Sequence, residues 1–199
     1  MNSIPTIVKV FLVFLSLLWS ADLYSQVINY DIVKGGSVIG SMTAEKKVSG
    51  NQVDYKIKSV THFRVVVKLT VDYNLTETYV GGVLQSGNAL STLNGATQNQ
   101  SDVQKRDGYY RIETDSDIIE FDSDAIRYSI PEIYFNEPIG KKYVFSQVFA
   151  TNLEIEDVGN HTYEMESEDG LNVYTYRNGI CTEVKVSRSY ATFYIRIKE

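Results

Sequence analysis

Cysteine, proline, histidine and tryptophan are all scarce in this chain, and each scarcity removes a class of explanation. The one cysteine, Cys181, has no second cysteine to pair with, so no disulfide is expected and packing must hold the fold. Two histidines, His62 and His161, without an HEXXH run or a close Cys/His pairing, give no metal centre to predict. Basic charge is short as well: 19 Lys and Arg against 25 Asp and Glu leave a formal charge of -6. No field is present to draw a phosphate backbone, so no nucleic-acid partner is expected, and no cofactor is implied by any motif.

Only one long apolar run exists, VFLVFLSLLWS over Val10–Ser20, behind Lys9. It is too short for a comfortable bilayer span and reads as a secretory leader, residues 1–25. Cleavage is expected between Ser25 and Gln26, with Ala21/Asp22 as the alternative. No cysteine follows the run to carry a lipid anchor. The expectation is an exported protein, periplasmic or secreted, not lipid-anchored. Its mature part, residues 26–199, is read as a single antiparallel β domain with no integral membrane segment. Trp19, the only tryptophan, leaves with the leader.

What the mature part has in abundance is period-two alternation. Phe63, Val65, Val67, Leu69, Val71, Tyr73, Leu75 and Tyr79 recur on one side of a polar series, which predicts a single half-buried strand over 63–80. At about 3.3 Å per residue it would run roughly 50 Å, so it must coil or break at a bulge. Further strands are predicted near 27–33, 38–48, 52–62, 83–91, 101–106, 109–114 and 118–122, divided by Gly, Asp and Ser clusters.

Near the end, Asn178-Gly179 suits a two-residue type I′ turn pairing Arg177 with Ile180. Counting on sets Thr175 opposite Thr182, Val173 opposite Val184 and Leu171 opposite Val186 on one face, with Tyr174, Tyr176 and Cys181 on the other. A three-residue loop over Glu168–Gly170 pairs Met165 with Val173 and Tyr163 with Thr175, keeping one face apolar. Together these predict a mainly β protein. Its form is a single curved antiparallel sheet or half-barrel of about ten strands, with a crossover segment near 126–149 and little helix. A short helical turn is expected within 126–134 or 143–149.

Chemistry-bearing motifs are few. GGSVIGS at 35–41 does not match the GXSXG elbow of serine hydrolases. Cys181 lies beside Glu183, a neighbour that opposes thiolate formation. Asp115, Asp117, Asp122 and Asp124 lack the order of a calcium loop and read as two turns flanking a short strand. In YSIPEIYFNEPIG, residues 128–140, Pro131 and Pro138 exclude a central strand, while Ile130, Ile133, Tyr134 and Phe135 are too apolar for a free loop. The segment is expected to fold over the open edge or mouth of the sheet, with Tyr134 and Phe135 as a lid. Those two residues, with Tyr174 and Tyr176, are the candidate ligand-binding residues. No catalytic residue is assigned.

YDIVKGGSVIGSM near the mature start, IYFNEPIG and VFSQ in the middle, and YEMESEDGLNVYTYRNGIC near the end carry a resemblance. In that order they resemble a family of uncharacterised exported β proteins of Gram-negative bacteria, a domain of unknown function. Gln147 stands where the resemblance implies a Glu after VFS. A more distant likeness of architecture is to the periplasmic lipoprotein carriers (LolA-like), whose curved sheet encloses an apolar pocket. The resemblance carries no catalytic residue onto any position.

The reading that follows is an exported, soluble, non-enzymatic β protein. It would bind an apolar or amphipathic, lipid-like ligand, or an envelope protein, on its concave face. The alternative is a hydrolase using Asp and Glu residues from different strands. A small outer-membrane barrel is disfavoured, since YKIKSVTHF, IEFDSDAIRY and the terminal YIRIKE are too short or too charged to face lipid.

Overall fold

Asparagine and glycine place most reversals of this chain, and the strands between them form almost the whole molecule. The computed structural model describes residues 23–64, 68–189 and 191–198. Residues 1–22 of the expected leader, and Val65 and Val67 of the long alternation, lie outside the described residues.

Eight strands run first as an antiparallel meander: β1 (Leu23–Lys34), β2 (Ser37–Ser49), β3 (Gln52–Arg64), β4 (Lys68–Val80), β5 (Val83–Leu93), β6 (Ala96–Lys105), β7 (Tyr109–Thr114) and β8 (Ile118–Asp122). A short 3-10 helix (Ile130–Tyr134) and a small hairpin of β9 (Tyr143–Ser146) and β10 (Thr151–Glu154) interrupt it. The chain then resumes through β11 (Glu156–Gly159), β12 (Thr162–Ser167), β13 (Gly170–Arg177), β14 (Ile180–Arg188) and β15 (Ala191–Ile197). β15 returns to pair with β1, so one 13-stranded sheet runs from β11 through β15 and β1 to β8. It is curved and antiparallel but not closed into a barrel, since β8 and β11 remain as edges.

The class is as the alternation predicts; the strand count is larger than about ten. One missed reversal is Asn94-Gly95, where φ values of 51° and 83° match the type I′ turn that an Asn-Gly pair favours. The polar start of β6, ATQNQ, hid the first half of the strand beyond it, of which only the part near 101–106 was expected.

A second correction concerns the single strand expected over 63–80. The chain reverses there, and β3 pairs with β4 from Gln52↔Val80 to Arg64↔Lys68. Paired residues share a face, so Phe63 opposite Leu69 keeps the alternation in phase across the reversal. Periodicity alone was blind to it.

A third correction inverts the faces of the C-terminal hairpin. Arg177↔Ile180 and Tyr176↔Cys181 pair as expected, with Asn178 and Gly179 both at positive φ. A bulge at Thr182 then shifts the register to Thr175↔Glu183 and Tyr174↔Val184. Cys181, Val184 and Val186 therefore point inward together with Tyr174 and Tyr176. Leu171 and Val173 are left half-buried. The preceding turn holds two residues, Glu168 and Asp169, and sets Met165 opposite Asn172. Gly170 belongs to the strand: at φ 124° it lies against the Ser187 carbonyl, where a Cβ would collide.

The core forms between the concave face of the sheet and the crossover segment. Pro131 opens the 3-10 helix, where its missing N–H is not needed. Ile133, Tyr134, Phe135, Val144 and Phe145 then sink into the sheet as a plug. The sequence expectation placed this segment over an edge or mouth; it lies mainly inside. Its hairpin does meet the break in the sheet: Phe145 of β9 packs on Phe121 of edge strand β8 at 5.3 Å, and β10 lies against β12. Unpaired strand edges invite other chains, and this filling reduces the exposed length.

Candidate functional site

The strands end in two sets of turns, and the plug fills only one end. At the end marked by Gly50, Gly82, Gly108 and Gly179, the Glu137 amide donates to the Gly179 carbonyl at 3.0 Å. Nearby, Tyr163 Oη donates to Glu137 Oε1 at 2.9 Å. The Tyr110 hydroxyl donates to the Leu84 carbonyl at 2.9 Å and accepts from the Ile126 amide at 3.0 Å. Tyr110 and Tyr163 each supply an apolar body and a satisfied polar tip, whereas the buried Tyr176 hydroxyl has no protein partner among the described residues.

Toward the opposite end, the plug stops short and leaves a cavity of about 330 Å³. Ile32, Met42, Ile57, Leu75, Val184, Val186 and Ile195 give it apolar walls; Ile130, Tyr134 and Gln147–Phe149 form its floor. Phe63 and Phe193, edge-to-face at 6.2 Å, stand on one side, with Lys34 Nζ 5.7 Å from the Phe63 ring. Ser167, Asp169, Asn172 and Arg188 line the other. Asp169 is the one acid lining the cavity among the described residues, so paired-carboxylate hydrolysis finds no second group there.

The four candidate residues divide between these regions. Tyr134 lines the cavity floor and meets Tyr30 edge-to-face at 5.7 Å, and Tyr174 lines the wall. Phe135 instead packs on Tyr55 at 5.8 Å, and Tyr176 on Tyr163 at 5.5 Å, both outside the cavity lining. Tyr134 and Phe135 are buried parts of the plug, not an exposed lid. Cys181 is fully buried; burial pushes its thiol well up, and Sγ donates to the Glu183 carbonyl at 3.6 Å.

Sequence reasoning missed Glu77, a carboxyl only 2 % exposed on the inner face of β4. Its signal was present: it stands in phase between Leu75 and Tyr79, an acid at an apolar position. Ser129 Oγ donates to Glu77 Oε2, and Tyr79 Oη donates to Ser129 Oγ at 2.5 Å. Burial pushes the Glu77 carboxyl up to about 8, against the pull of those hydrogen bonds, and Glu132 adds a smaller push in the same direction. Glu77 Oε1 and both side-chain polar atoms of Gln147 have no protein partner among the described residues. Glu77 is thus a neutral acid near neutral pH, tying β4 to the plug through Ser129.

Gly87, opposite Glu77 in the register, leaves room for this cluster. A Cβ there would collide with Gln147 Oε1 and sit 3.1 Å from Glu77 Cγ. Gly87→Ala should therefore lower stability by about 1–3 kcal/mol, the usual cost of overpacking, measured by urea unfolding. An unchanged midpoint would mean that Gln147 swings aside freely.

An open antiparallel sheet wrapped around an internal plug, with an apolar cavity at one end, defines a β-barrel-like protein. Residues 30–198 match the family described as "Domain of unknown function (DUF6134)", and the chain belongs to that family. Among solved structures it is similar to a beta-barrel-like protein of domain of unknown function DUF1849 from Brucella abortus. The TM-score is 0.53 and the identity 11%, over 87% of this chain and 95% of that one. That likeness is one of fold. No curated protein matches the sequence. No helix among the described residues is long and apolar enough to cross a membrane.

Proposed function

We propose that this is an exported, non-enzymatic binding protein that holds an apolar or amphipathic ligand in the cavity of its concave face. The observation carrying this reading is the cavity itself: about 330 Å³, walled by aliphatic side chains and floored by the plug. That volume lies at the small end of the range of ligand pockets, which are mostly apolar with a few polar groups fixing orientation. The secretory pattern of residues 1–25 supports export. The ligand reading is favoured over an envelope-protein partner because the cavity's apolar walls lie inside the sheet.

Native mass spectrometry of protein purified from its own cells, before and after solvent extraction, tests the proposal. Expected is an added mass that extraction removes; protein that is always empty and indifferent to lipid probes would sink it. The same sample tests export. N-terminal sequencing should begin at Gln26, and indole emission should be absent because Trp19 is gone.

A further inference from the structure

Within that binding reading, the polar wall of the cavity specifies which end of a ligand goes where. Arg188, at the end of β14, donates from Nη1 to Asn172 Oδ1 and to the Ser187 carbonyl, both at 3.0 Å. Asn172 Nδ2 in turn donates to the Tyr174 hydroxyl at 3.3 Å. Arg188 and Tyr174 are thereby fixed side by side through one amide, and all three residues line the cavity. Two donor capacities stay unused among the described residues: the Tyr174 O–H, which here only accepts, and the Nη2 and Nε groups of Arg188. Arg188 makes no ion pair among the described residues, Asp169 included, although both line the same cavity. A half-buried guanidinium held in place with a free edge is suited to take a planar carboxylate through two parallel hydrogen bonds.

We infer that the cavity takes a single-chain amphiphile with an anionic head, its carboxylate held by Arg188 and Tyr174. The chain runs down the aliphatic walls to Ile130 and Tyr134. At about 30 Å³ for each methylene, the share of a water molecule in the liquid, the cavity holds on the order of ten carbons. Asp169 opposes an anion at the same wall and favours a cation, so head charge is the deciding variable. Lys34, near Phe63 across the mouth, adds to the positive side.

The test compares dodecanoate, dodecanol and dodecyltrimethylammonium by isothermal titration against residues 26–199 stripped of bound material. Dodecanoate should bind at least about tenfold more tightly than dodecanol, the difference a charge-assisted hydrogen bond supplies. Arg188→Gln should remove that advantage at a much smaller loss of dodecanol binding, Arg188→Lys should keep part of it, and Tyr174→Phe should weaken dodecanoate more than dodecanol. Retained dodecanol binding shows each variant to be folded. Equal binding of dodecanoate and dodecanol, or a preference for the ammonium head, overturns the head-group assignment and leaves the apolar cavity reading standing. Failure of all three probes to bind overturns both.

Discussion

Raising the pH from about 4.5 to about 8 is expected to cost this fold on the order of 5 kcal/mol through Glu77 alone. The group ionises freely near 4.5 in the unfolded chain and is pushed up to about 8 by burial in the folded one. Below 4.5 both states hold the proton and the group makes no difference. Between the two values the folded state keeps a proton that the unfolded state has released, so stability falls at about 1.4 kcal/mol per pH unit. Above 8 the loss is complete and the curve flattens. Glu132, also raised by burial, adds to the same slope. The comparison that isolates Glu77 is therefore Glu77→Gln, which retains an acceptor for Ser129 and cannot ionise. Urea unfolding over that pH range should show the variant gaining on the parent as pH rises. Parallel curves for the two proteins would show that Glu77 does not titrate in this window.

Tyr134→Ala should destabilise the protein by about 3–5 kcal/mol and deepen the cavity at the same time. The ring is 7 % exposed, lies edge-to-face on Tyr30 at 5.7 Å, and forms part of the cavity floor. Its removal costs the transfer free energy of a large aromatic and leaves a void that the fixed sheet cannot collapse around. Tyr134→Phe preserves the ring contact and should stay within about 1.5 kcal/mol of the parent. If Tyr134→Ala unfolds at the parent's urea concentration, the plug is not part of the cooperative unit. If it is destabilised as expected and still binds chains, longer ones should now fit.

How far the sequence led depended on whether a feature was local. The Asn178-Gly179 reversal was legible because two adjacent residues dictate it, and the register near the turn followed. One extra residue at Thr182 then brought Val184 and Val186 onto the face of Tyr174, Tyr176 and Cys181, which made that face the core, and nothing in the alternation announced it. Tyrosine made the error easy: a phenol reads as polar on paper yet buries as an aromatic. Gly170 misled in the same way, since it resembles a turn glycine while serving a close backbone approach. The crossover was visible in its prolines and apolar residues, but its depth inside the sheet was not. The cavity exists because the plug stops before one end, and Glu77 matters because Ser129 reaches it across 52 positions. Both depend on packing between distant segments. Glu77 alone had a readable trace, an acid in step with Leu75 and Tyr79.

The pairing of β1 with β15 sets the order in which this protein can be assembled. Tyr30 to Val33 lie beside Tyr194 to Ile197, in the interior of the sheet and not at either edge. Until the last strand emerges during synthesis, β1 has only one neighbour, and the two meanders are separate pieces with an open side each. The contact of greatest sequence separation thus joins the halves, and such contacts slow folding. Under the export proposed above, a chain that must stay unfolded to cross a membrane gains from that delay, because the first strand waits for the last.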